Sequence, residues 1–189
     1  MHFTTLALTT LLALTTAAPA PIEKRFPSAY RIITPSAISQ YSVFTGAIAY
    51  NTATGLVRKT GDTQSDISTL VTFTIPPSAA GATCSLHFYL DPADTTVVSG
   101  TGLIDLFSSL KPAPEHDVPA WGPPGNQRDR EMARWKVVKG GEATFSTDVP
   151  NAATFKCPEA GKVGFELVGA GDKDEIRWGK ALSGAYITW

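Results

Sequence analysis

The feature that most constrains this chain is its rhythm. Apolar and polar residues alternate in short runs, and most runs end in a turn-forming cluster. Residues 84–90, Cys-Ser-Leu-His-Phe-Tyr-Leu, are the clearest case. Cys84, Leu86, Phe88 and Leu90 point one way, and Ser85, His87 and Tyr89 the other. Asp91-Pro92 ends the run. In 70–75, Val71, Phe73 and Ile75 share a face until Pro76-Pro77 stops them. Residues 162–168 put Val163, Phe165 and Leu167 inward, and 169–174 turn the chain. Further runs lie at 41–50, 56–60, 97–107, 175–178 and 185–189. The stretch 128–139 is ambiguous: Met132, Trp135 and Lys139 suit a helix face, while Trp135 and Val137 suit a strand. A helical turn running into a strand is expected there. No run of twelve residues carries helical periodicity. The pattern predicts an all-β fold, an antiparallel β-sandwich of jelly-roll type, with one long Pro-rich loop at 111–130. The 16 Gly and 14 Pro residues suit many turns.

The 189 residues suffice for one domain with a sizeable core, and two full domains would be a squeeze. A formal net charge of -1 excludes a general nucleic-acid binder, and 43% hydrophobic residues exclude a disordered chain. Residues 1–20 read as a secretory signal peptide: an uncharged apolar run at 3–14, then the small residues Ala17, Ala18 and Ala20. The run is too short to span a bilayer, and no other apolar stretch approaches the length of a membrane span. Residues 21–25 form a short pro-segment ending in Lys24-Arg25, a dibasic site for a processing protease or a chance pair. The mature domain is then 26–189, secreted and either extracellular or in a cell wall. In such a compartment the two cysteines, Cys84 and Cys157, read as one disulfide.

Several stretches together resemble one fungal family. Residues 73–90 (Phe-Thr-Ile-Pro-Pro, then Cys84-Ser-Leu-His-Phe) resemble the F-x-I-P and C-x-L-x-F segments of the But2 C-terminal domain. Ser99-Gly100 with Ile104-Asp105-Leu106-Phe107, and Trp121-Gly-Pro-Pro, are similar to further elements of it. Phe155-Lys-Cys157-Pro and Gly161-Lys-Val-Gly-Phe165-Glu-Leu follow in the family's order, and 184–188 match its close. The resemblance covers roughly 41–189. It implies a secreted or surface fungal protein with an all-β domain and a Cys84–Cys157 bridge, and it implies little about chemistry.

The residues themselves offer few chemical groups. No G-x-S-x-G elbow, phosphate loop, redox motif or C-x-x-C pair occurs, so no cofactor is expected. The mature chain holds two histidines, His87 and His116. His87 reads as a surface residue pairing across the sheet. Asp172, Asp174 and Glu175 form the densest acidic patch, which reads as a weak calcium candidate or as an ordinary hairpin turn. Aromatic rings stack on sugar faces and are enriched at binding surfaces. Trp121 in the Pro-rich loop is the first candidate contact, or else a plug on one end of the sandwich. Tyr89 and His87 come next. The expected function is a non-catalytic domain binding a polysaccharide or a surface protein. The alternatives are a carboxylate-dependent glycoside hydrolase and a secreted effector binding a host protein. Oligomeric state is open.

Overall fold

A computed structural model describes residues 26–27, 31–118 and 127–189. The leader, the Lys24-Arg25 pair and Trp121 lie outside the described residues.

The chain forms β1 (Ile32–Ile33), β2 (Ala37–Ser42), β3 (Ile48–Ala49), β4 (Thr54–Lys59), β5 (Ile67–Ile75), β6 (Thr83–Tyr89) and β7 (Val97–Ser99). Then come β8 (Leu103–Ser109), β9 (Arg128–Lys136), β10 (Thr144–Phe145), β11 (Thr154–Lys156), β12 (Gly161–Gly169), β13 (Asp174–Gly179) and β14 (Gly184–Thr188). All recorded pairings are antiparallel. A small sheet has the order β1-β14-β6-β11. A large, curled sheet runs β10-β9-β8-β12-β5-β4-β13-β7, with the β2–β3 hairpin joined at β5. The fold is the antiparallel β-sandwich that the alternation predicts. Among the described residues no helix is long and apolar enough to cross a membrane.

Phe88 of the small sheet reaches Trp178 (5.1 Å between centroids) and Trp135 (5.7 Å) of the large one. Phe155 of β11 likewise meets Phe165 of β12 at 5.9 Å. These rings fix the spacing of the two layers. Cys84 and Cys157 form the expected disulfide, with Cα atoms 5.0 Å apart. It ties the chain just past β11 to the neighbouring strand β6.

Two readings of the sequence need correction. The 41–50 run is not one strand. Gly46, at φ +71°, donates its N–H to the Ser42 carbonyl at 2.9 Å, and the chain turns between β2 and β3. The 128–139 stretch holds no helical turn: β9 is extended from Arg128 to Lys136. Leu106 pairs with Ala133 and Phe107 with Glu131, so Met132 is an extra residue, a β-bulge. The bulge buries the neighbours Met132 and Ala133 together. That phase slip is what imitated a helical period.

The two sheets differ on their outer faces. On the large sheet, residues 111–118 fold back over β5 and β12. Thr72 Oγ1 donates to the Ala113 carbonyl at 2.7 Å, and a Cβ on Gly164 would lie 2.7 Å from Pro112 Cα. Glycine at 164 is therefore what lets this strap lie flat. Ala113 of the strap packs with Tyr41 and Leu70 of the sheet in a second apolar cluster. Beside them Glu166, fully buried, takes two hydrogen bonds from Arg128 (2.7 and 3.0 Å) and one from Ser68 Oγ (2.6 Å). The small sheet has no comparable strap among the described residues.

Candidate functional site: the outer face of the small sheet

Strand β6 aims Ser85, His87 and Tyr89 outward because Cys84, Leu86 and Phe88 fill the core behind them. β14 lies alongside in a register that sets Thr188 opposite Ser85, Tyr186 opposite His87 and Gly184 opposite Tyr89. On the other side β11 sets Thr154 opposite Ser85, with their hydroxyl oxygens 2.9 Å apart. Six adjoining positions thus carry hydroxyls or rings on one pleated surface.

At the centre, the His87 ring stacks on Tyr186, 5.0 Å between centroids and 18° between planes. Glu142 arrives from the turn before β10 and bridges to Tyr89. Its Oε1 lies 3.2 Å from His87 Nδ1, and both its carboxylate oxygens lie 3.0 Å from the Tyr186 hydroxyl, which donates. A carboxylate at Nδ1 selects the tautomer protonated there, so Nε2 accepts from the Thr188 hydroxyl at 3.0 Å. Burial, then the Glu142 charge and its hydrogen bond, push the Tyr186 phenol well above its ordinary range. Burial, then Asp91 and Glu142, also raise Tyr89. The Phe26 ring, buried, caps Tyr186 at 5.5 Å.

Thr188, His87 and Glu142 stand in the order of an acyl-transfer triad. Such chemistry also needs N–H donors beside the hydroxyl to hold an oxyanion. Here Thr188 pairs with both β1 and β6, and the Trp189 N–H is donated to the Arg31 carbonyl at 3.2 Å. Sheet pairing occupies this stretch of backbone. The arrangement fixes the side chains as a flat polar and aromatic surface.

The structure brings two of the sequence candidates together: His87 and Tyr89 sit two residues apart on this face, both half-buried. Trp121 lies outside the described residues. The acidic patch is on the far sheet. Asp174 is buried, and its carboxylate accepts from the Thr101 N–H and hydroxyl, from the Gly102 N–H (3.1 Å) and from the Gly171 N–H (2.8 Å). It staples two turns together. Glu175 is paired with Arg58 (3.0 Å) and Arg177 (2.6 Å), and Asp172 is exposed. No group of three or more His, Cys, Asp or Glu among the described residues is placed to hold a metal ion.

Sequence reasoning missed Glu142 and Thr188 as members of this face. Glu142 follows Gly140-Gly141 in a turn and carries no periodic signal. Thr188 is placed by the β6–β14 register, which joins residues about a hundred positions apart.

The fold and this face define an all-β sandwich domain that carries a row of polar and aromatic side chains on one outer face. The family described as the Ubiquitin 3 binding protein But2 C-terminal domain matches residues 34–181, and the chain belongs to that family. No curated protein matches it.

Proposed function

We propose that the chain is a secreted, cell-wall-associated fungal binding module that takes a polysaccharide on the outer face of the small sheet. The observation that carries this reading is the row of Thr154, Ser85, His87, Tyr89 and Thr188, half or fully exposed, in which Ser85 is hydrogen-bonded to Thr154 and His87 to Thr188. Sugars are recognised by hydroxyl hydrogen bonds in the plane of the ring and by aromatic faces against their C–H surfaces. A pre-ordered row of this kind loses little entropy on binding. The leader at 1–20 and the disulfide support export. The family description, which names a protein-binding parent, favours a surface protein as the second reading.

The test is co-sedimentation of residues 26–189 with insoluble chitin, β-glucan and cellulose, beside Tyr89→Ala, His87→Ala and Trp121→Ala forms. Saturable binding that falls about tenfold in the first two variants is the expected result, equal to roughly 1.4 kcal/mol. Binding that only Trp121→Ala weakens would move the site to the Pro-rich loop. No binding to any of the three polymers would end the polysaccharide reading.

A further inference from the structure

Among the described residues the small sheet ends at β11, and none of them pairs with the far side of that strand. The hydrogen-bond phase shows which groups face outward. Leu86 donates its N–H to the Ala153 carbonyl at 3.0 Å, and Cys157 donates to the Ala82 carbonyl at 2.8 Å. In an antiparallel ladder, bonded pairs alternate, so residues 153, 155 and 157 bond inward to β6. Thr154 and Lys156 therefore turn their N–H and C=O away from the sheet. Both residues are exposed, and no other described residue meets those groups.

This edge borders the open side of the sandwich. A recess of about 340 Å³ lies between β11 and the strands β8 and β12. Leu110, Phe155, Val163 and Phe165 supply apolar lining, and the exposed Lys156 and Lys162 stand beside them. Leu110 is 69% exposed, a large apolar side chain left in water.

We propose that β11 accepts an extended peptide as a fifth strand of the small sheet, and that this peptide alternates aliphatic and acidic residues. The backbone groups of Thr154 and Lys156 supply two donors and two acceptors at the two-residue spacing that a strand presents. The pleat then sends alternate partner side chains to opposite sides. One set enters the apolar recess, and the other lies on the outer side beside Lys156. The lysine also decides against a second copy of this chain, because two copies paired along this edge would bring their Lys156 side chains together. The edge shares Thr154 with the sugar-binding row, using its backbone where the row uses its hydroxyl, and does not depend on that reading.

The experiment uses residues 26–189 and a fluorescein-labelled octapeptide alternating valine and glutamate, with a valine–lysine octapeptide as control. Binding of the acidic peptide is read by fluorescence anisotropy, and edge pairing by amide hydrogen exchange. The expected result is binding of the acidic peptide alone, with exchange slowed at Thr154 and Lys156. Lys156→Pro removes one outward N–H that the fold does not use and should abolish binding. Lys156→Glu keeps the N–H, reverses the charge on an exposed side chain, and should weaken binding about tenfold. Tyr89→Ala should leave binding unchanged. Failure of the acidic peptide to bind would overturn the proposal. So would binding that slows neither amide or survives both substitutions. Concentration-dependent dimers that Lys156→Pro abolishes would replace the peptide with a second copy and overturn it equally.

Discussion

Gly55 offers the sharpest test of how the two layers are held apart. It faces Trp178 across the β4–β13 register. A Cβ at position 55 would lie 2.1 Å from both Cε2 and Cζ2 of the indole, where ordinary contact begins near 3.4 Å. The ring would have to retreat by roughly 1.3 Å in an interior packed as densely as a crystal. It has nowhere to go. Trp178 is 2% exposed, and Phe88 meets it edge-on at 5.1 Å. On another side, a Cβ on Gly184 would already lie 2.6 Å from the indole Nε1. Gly55→Ala should therefore cost about 3 kcal/mol, the upper part of the range for overpacking. For a domain of this size that lowers Tm by roughly 6–12 °C.

The matched control is Gly81→Ala. Gly81 has φ +75°, and a Cβ there would meet nothing within 4 Å. Only backbone strain remains, about 1–2 kcal/mol. Urea and thermal unfolding, followed by tryptophan fluorescence and far-UV circular dichroism, read both variants. A second measurement isolates the contact: in a Trp178→Phe background the cost of Gly55→Ala should shrink by at least about 1 kcal/mol. If Gly55→Ala proves no more damaging than Gly81→Ala, the indole is not confined as described and the reasoning fails.

Two further outcomes follow from the buried polar groups. Arg128→Leu leaves the buried Glu166 carboxylate without its guanidinium and should cost about 3–5 kcal/mol in urea unfolding; a loss below about 1 kcal/mol would show that the pair is not desolvated. The Tyr186 phenol is raised in the folded protein, so near pH 10 the unfolded chain gives up that proton first and binds fewer protons than the fold. Its contribution is complete below the ordinary phenol range and is lost as pH rises through and beyond it. Tyr186→Phe should make the alkaline loss of stability, followed from about pH 9 to pH 11, measurably shallower. An unchanged slope would place the effect on other tyrosines.

How much of this was legible depends on the range of the signal. The alternation in 84–90 located β6 and both its faces, because strand period is a local property. The Leu167 face of β12 was readable for the same reason. The bulge at Met132 was not, since it is defined by pairing with Leu106 and Phe107 on another strand. The short strands β1, β10 and β11 escaped notice because two or three residues cannot display a period. The acidic patch misled in an instructive way. Carboxylates close in sequence invite a cation, yet Asp174 turns inward to N–H and O–H donors while Glu175, its neighbour, points out to two arginines. Adjacent strand residues face opposite sides, so nearness along the chain argued against a shared ligand. His87 and Tyr89 came together for the complementary reason: residues two apart on a strand share a face.

The same pleat logic explains why the small sheet carries the candidate sites. A sandwich has two outer faces, and each must be either polar or covered. The large sheet takes the second course. Leu70 and Tyr41 point outward on it, which demands the 111–118 strap, and the strap in turn demands glycine at 164. That face is closed by its own sequence. The small sheet takes the first course. Its outward positions on β6, β11 and β14 include Ser, Thr, His, Lys and Tyr, and beside them lie two apolar residues, Phe26 over Tyr186 and Ile32 of β1 opposite Thr188. A face that needed only to be soluble would be served by mobile charged side chains. Instead its hydroxyls and rings are locked to one another through Glu142, His87 and the Ser85–Thr154 pair. Ordering those side chains costs entropy that solubility does not require. Ligand recognition does require it, since a pre-ordered surface has less freedom to lose.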